Sequence, residues 1–117
     1  MRYIFLIYEN ESLAAGRSDE QQQEIFGRYF AFSDTVRTAG VLEGGDPLVE
    51  TNTATTVRVR DGQAMNTDGP FAETKEQLGG YYILDCKDLD EALTYAAQIP
   101  AAEYGSVEVR PIMELGD

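Results

Sequence analysis

Two segments of this chain are apolar on both of their alternating faces, and a strand of that kind has few places it can go. In residues 2–8, Ile4 and Leu6 line one face and Tyr3, Phe5 and Ile7 the other. In residues 78–85, Tyr81 and Ile83 stand on one side and Tyr82 and Leu84 on the other. Both segments belong at the centre of a sheet, where both faces are covered. The rest of the chain supplies two long helical patterns, enough for one face only. The second face needs a cover that these 117 residues do not contain. A second copy packed sheet to sheet about a two-fold axis is the simplest one, so a homodimer is expected.

The helices are legible from their ends. Ser18 is a suitable N-cap, Asp19 and Glu20 follow in the first turn, and Gly40 is the expected stop, which predicts a helix ending near Ala39. Its apolar stripe, Ile25, Phe26, Tyr29, Phe30, Phe32 or Ser33, and Val36, recurs at helical spacing and reads as core. Asp88-Leu89-Asp90-Glu91 has the spacing of a capping box. It opens a second helix that directs Leu89, Ala92, Leu93, Ala96 and Ala97 inward and stops before Pro100.

Between the helices, residues 41–43 and 48–49 read as short strand pieces broken by a Gly44-Gly45-Asp46-Pro47 turn, with Asp46 as a turn former. Residues 53–60 alternate, with Thr55, Val57 and Val59 on one face and Thr56, Arg58 and Arg60 on the other. Asp61-Gly62 is a strong hairpin signal that returns the chain along residues 63–65. Gly79-Gly80 suits a bulge or the close approach of a helix. A last strand carries Val107, Val109, Pro111 and Met113 on one face and Glu108 and Arg110 on the other. The order strand, helix, strands, helix, strand predicts one α+β domain over residues 1–117. Its form is a ferredoxin-like sandwich with an antiparallel sheet, two main helices on one face and an extra hairpin.

Composition removes several classes of function. Nine basic residues against 21 acidic ones give a net charge of −12, a field that repels phosphate backbones and anionic lipid headgroups. No nucleic-acid or membrane partner is expected. A single cysteine, Cys86, excludes an internal disulfide, and with no histidine the usual zinc constellations are out of reach. No metal or cofactor is expected. Cys86 itself reads as an inert buried thiol, since nothing like histidine is present to activate it. The apolar run at the N-terminus stops at Glu9 and Glu11 and is too short to span a bilayer, which points to the cytoplasm.

The densest chemistry lies in Asp68-Gly69-Pro70-Phe71-Ala72-Glu73-Thr74-Lys75-Glu76, a stiff turn rich in ionisable groups that runs straight into the second central strand. Two readings of Asp68 stand. Its carboxylate caps a short helical turn through the Phe71 N–H, or it points into a cleft. Arg58 and Arg110 likewise either pair with Glu73 and Glu108 or await an anionic ligand near Tyr81 and Asp68.

The stretch from Asp68 to Ile83 closely resembles the segment that names the DGPF branch of the YCII-related proteins. The Arg58-Val59-Arg60-Asp61-Gly62 run, the Leu89-Asp90-Glu91-Ala92 helix start and the closing Val107-Glu108-Val109-Arg110-Pro111 fit the same pattern. The resemblance implies a bacterial dimeric α+β barrel with a cleft between the helical side and the sheet or at the dimer interface. It also implies an association, in some members, with sigma factors of the extracytoplasmic-function type. In several YCII-related proteins a histidine–aspartate dyad is the proposed acid–base pair, and without histidine this chain cannot form it. Acid–base work would fall to Asp68 or Glu73, or to Tyr81 beside an arginine, with Arg58, Tyr81 and Arg110 binding the ligand. Three functions are carried forward. They are a dimeric small-molecule-binding protein or enzyme of unassigned reaction, a non-catalytic module acting with a sigma factor, and cofactor-independent oxygenase-like chemistry by analogy of fold.

Overall fold

Residues 1–116 are described by the computed structural model. In chain order its elements are β1 (Arg2–Glu9), α1 (Glu11–Ala14), α2 (Asp19–Thr38), β2 (Leu42–Pro47), β3 (Thr55–Arg60), β4 (Gln63–Asp68), β5 (Gln77–Asp85), α3 (Leu89–Ala96) and β6 (Ser106–Pro111), with short 3-10 turns at Thr51–Thr53 and Pro100–Glu103. Four strands form one antiparallel sheet in the order β2-β5-β1-β6. β1 and β5 are its centre, as their two-sided apolarity requires. β3 and β4 pair only with each other. This is the ferredoxin-like arrangement with an added hairpin.

One face of the sheet meets the helices. Tyr3, Phe5 and Ile7 of β1 and Leu84 of β5 are buried against Phe32 and Val36 of α2, Ala92 and Ala96 of α3, and Ile99 and Ala101 beyond it. α2 begins as its sequence signals. The Ser18 hydroxyl accepts from the Gln21 N–H at 3.1 Å while the Gln21 side chain accepts from the Ser18 N–H at 2.9 Å, so two orphan donors are satisfied reciprocally. The Asp88 carboxylate caps α3 by accepting from the Glu91 N–H at 2.9 Å, and the Glu91 carboxylate reaches back to the Lys87 N–H at 3.2 Å.

Several sequence expectations need correction. The aromatic stripe of α2 is wider than its contact. Phe26 and Phe30 are 53% and 73% exposed, whereas Tyr29, Phe32 and Val36 turn inward, because a helix on a flat sheet buries one narrow face. α3 likewise directs Ala92 and Ala96 inward and leaves Leu89, Leu93 and Ala97 exposed. Small residues let this short helix sit close to the sheet.

Residues 44–47 form no turn. β2 runs through them as an edge strand, with a register irregularity between Leu42 and Gly44. The glycine has a packing reason. A Cβ on Gly45 would sit 2.8 Å from the Tyr82 ring, which makes an edge contact with Phe32 at 5.0 Å and a hydrogen bond to Ser33 at 2.9 Å. Gly80 similarly admits the β2 backbone at Asp46 and Pro47, and the ladder between β1 and β5 skips Gly79 as a bulge.

Gly105 enters β6 where a Cβ would overlap the Tyr8 carbonyl oxygen, a rigid backbone neighbour. Gly105→Ala is therefore expected to lose about 1–3 kcal/mol of stability in denaturant unfolding. Gly27, inside α2 with nothing near its missing Cβ, gives the opposite sign, and Gly27→Ala is expected to gain about 0.4–1 kcal/mol.

Candidate functional site

The Asp68 turn is pinned at its glycine. Gly69 adopts φ +100°, open to glycine and strained for other residues. Its N–H donates to the Ala54 carbonyl at 2.7 Å and its carbonyl accepts from the Thr56 hydroxyl at 2.8 Å. Asp68 closes β4 opposite Thr55, and no helical turn follows it. Among the described residues its exposed carboxylate takes no hydrogen bond, so the capping reading is corrected: the backbone of Gly69, not the side chain of Asp68, holds the turn. Glu73 is also exposed and unbonded, and Phe71 is 76% exposed.

Both roots of the hairpin are tied to one residue that the sequence reading passed over as loop. Glu11, the first residue of α1, accepts the Thr51 N–H at 2.9 Å and the Thr51 hydroxyl at 2.6 Å through its carboxylate. Its own N–H donates to the Gln77 side-chain oxygen at 2.9 Å, and the Gln77 amide holds the Thr74 carbonyl at 2.5 Å. α1 exists because Asn10 caps the Leu13 N–H at 3.1 Å, a signal present in the sequence but short.

The sheet face away from the helices carries three rows of side chains. Leu6 lies between Tyr81 and Glu108, with Asp46 beyond Tyr81. Ile4 lies between Ile83 and Arg110, and Tyr8 between Leu78 and Ser106. The Tyr81 hydroxyl donates to Asp46 Oδ2 at 2.8 Å. That bond to a carboxylate holds the Tyr81 phenol above its ordinary pKa. Asp46, read from sequence as a turn former, is thus part of this face. Its signal was hidden, because the two glycines before it look like a turn until Tyr82 is seen to need the space.

The arginines divide into two groups. Arg2 meets Glu114 at 2.9 Å, Arg17 meets Glu9 at 3.0 Å, Arg37 meets Asp34 at 2.6 Å, and Arg28 meets Glu103. The Arg28 guanidinium also holds the Glu103 carboxyl below the usual range. Among the described residues, Arg58, Arg60 and Arg110 have no carboxylate. Arg58 donates to the Phe71 carbonyl at 3.3 Å, at the turn itself, and Arg60 to the Val59 carbonyl at 3.0 Å. Neither of the expected pairings, with Glu73 or with Glu108, forms. Arg58, Asp68 and Glu73 therefore gather around the hairpin and its turn, while Tyr81 and Arg110 share the open sheet face. No hydrogen bond or ion pair among the described residues links the two groups within one chain.

Two shallow hollows lie elsewhere. One of about 260 Å³ is lined by Glu9, Asn10, Leu13, Arg17 and Tyr104. Arg17 is already engaged there, paired with Glu9 and stacked 4.6 Å from the Tyr104 ring centre. Burial pushes the neighbouring Tyr29 phenol far up, beyond ordinary titration. A second hollow beside α3 presents Asp88 and Glu91, whose carboxylates hold backbone N–H groups. Cys86 is 1% exposed, and burial raises its pKa and keeps the thiol protonated. No group of His, Cys, Asp or Glu among the described residues is placed to hold a metal ion, and none of the described helices is long and apolar enough to cross a membrane.

The hydrogen bond between Tyr81 and Asp46 is checked by titration. In Asp46→Asn the Tyr81 phenol is expected to return toward the ordinary value of about 10, read from ring carbon shifts or ultraviolet absorbance. An unchanged Tyr81 titration would contradict the bond.

Comparison with known proteins identifies the family. A family model described as the YCII-related domain matches residues 1–116. An uncharacterized protein of Rhizobium meliloti is 41% identical over 114 residues, covering 96% of this chain and 92% of the relative. The chain belongs to the YCII-related family.

Proposed function

We propose that this protein is a homodimer, packed through its open sheet faces, that binds a small polar or anionic molecule where the rim of that face meets the turn at residues 68–71. The observation that carries the reading is the distribution of arginines. In a chain with 21 acidic residues, four of seven arginines hold a carboxylate among the described residues, and the three that do not are Arg58 and Arg60 on the hairpin and Arg110 on the open face. Three guanidinium groups without a carboxylate have charge to offer an anionic ligand. The fork of N–H donors suits a carboxylate or phosphate oxygen pair.

The apolar surroundings complete the reading. Ile4, Leu6 and Ile83 are only half-buried in one chain, and sheet-to-sheet packing would bury them and lower the dielectric around Tyr81 and Arg110. A ligand there would meet Tyr81 as a hydroxyl donor or acceptor and Arg110 as a cation. Arg58 would approach from the turn. Asp68 and Glu73, exposed and without hydrogen bonds among the described residues, are the groups available for acid–base chemistry in the absence of histidine.

Nuclear magnetic resonance titration with inorganic phosphate and with benzoate tests this directly. Shifts centred on Tyr81 and Arg110 are expected, and Arg110→Ala should weaken binding roughly 10- to 100-fold, the range for hydrogen bonds to charged groups. Asp68→Asn, which removes a negative charge beside the site, should tighten it. Shifts spread evenly over the surface and insensitive to Arg110→Ala would overturn the proposal.

A further inference from the structure

The Tyr81 phenol has one proton to give, and it is already engaged in a hydrogen bond to Asp46. The hydroxyl donates to Asp46 Oδ2 at 2.8 Å, an ordinary length for an O–H···O bond. Its acceptor is a carboxylate, which makes the bond roughly twice as strong as one between neutral groups. Asp46 and Tyr81 are direct partners in the ladder between β2 and β5, so the strand register sets their side chains next to each other on the open face. The bond also holds the phenol above its ordinary pKa, and the proton stays on the oxygen at neutral pH. Turning that proton toward a ligand would break the bond to Asp46. What Tyr81 offers a ligand is therefore a lone pair, strengthened by the engagement of its proton with the carboxylate.

The rest of the row has the same character. Across the sheet, Asp46, Tyr81, Leu6 and Glu108 stand side by side on β2, β5, β1 and β6. Leu6 carries no polar group. Glu108 and the second oxygen of Asp46 take no hydrogen bond among the described residues, and an ionised carboxylate has only acceptors to offer. Every polar site left open in this row is an acceptor, and two of its four side chains are carboxylates. An anion without a donor of its own meets repulsion there and finds nothing to bond. An O–H or N–H group meets a lone pair backed by a negative charge. The cation, Arg110, stands in the neighbouring row with Ile4 and Ile83.

We propose that the Asp46 and Tyr81 pair selects ligands that carry an O–H or N–H donor apart from their anionic group, with Tyr81 accepting from that donor. Asp46 is the positioning residue, because it keeps the Tyr81 proton turned away from the ligand. This rests on the site proposed above and adds which anions it takes: hydroxy- or amino-substituted carboxylates in preference to bare ones.

Two probes of nearly one shape test it. Para-hydroxybenzoate has the donor, and para-methoxybenzoate keeps the oxygen but has no proton on it. In calorimetric titration the protein is expected to bind the hydroxy compound about tenfold more tightly, the scale of one hydrogen bond. Tyr81→Phe should erase that preference. Asp46→Asn should shrink it, since a neutral amide does not hold the phenol proton by charge. A change in stability alone would move both affinities together and leave their ratio untouched. Equal affinity of the unaltered protein for the two probes, or a preference that survives Tyr81→Phe, overturns the donor selection. If Arg110→Ala weakens both probes in that case, the anion site itself stands. Absence of binding by either probe and by benzoate overturns both.

Discussion

The ladder between β1 and β5 is the constraint from which the rest follows. Both strands are apolar on both faces, so an arrangement with one face open to water leaves Ile4, Leu6, Tyr8 and Ile83 wet. α2 and α3 solve half of the problem by covering Tyr3, Phe5, Ile7 and Leu84. The small residues of the chain serve that same ladder. Gly45 makes room for the Tyr82 ring, Gly80 admits the β2 backbone, and Gly105 lets β6 start tight against Tyr8. The other half of the problem is left for something outside the chain, and the proposed dimer answers it.

Charge distribution connects this architectural demand to function. In a chain with a surplus of twelve negative charges, Arg58, Arg60 and Arg110 meet no carboxylate among the described residues. They lie on the hairpin and the open face, where the packing is also unfinished. Incomplete apolar cover and arginines without carboxylates meet on the same side of the molecule, and the proposed dimer with a bound anion would complete both. Glu11 ties the two roots of the hairpin together, through Thr51 before β3 and Gln77 at the start of β5.

Much of the fold was legible because it depended on local chemistry. The Ser18 N-cap with its acidic first turn set the start of α2 to the residue, Gly40 with φ +76° marked its end, and Asp61-Gly62, both at positive φ, made the expected hairpin. What misled were signals whose meaning depends on distant partners. Gly44-Gly45 looked like a turn because the ring of Tyr82 lies 37 residues away in sequence. Phe26 and Phe30 looked like core because helical spacing does not say how wide a face will be covered. The candidate site was half legible. Tyr81 and Arg110 do share a face, and Arg58 does reach the turn beside Asp68, but Asp46 was missed with the misread turn, and Glu11 with the four-residue helix it opens. No periodicity marks a side chain that ties two loops together.

Whether a second copy covers the open sheet face decides the function proposed for it. The most direct measurement is the mass of the native protein by sedimentation equilibrium across a wide range of concentration. A species of twice the 13.0 kDa chain mass, dissociating when Ile83 is replaced by lysine, is the result predicted. A particle of single-chain mass at every concentration would contradict it, and the half-buried face of β1 and β5 would then need a different cover.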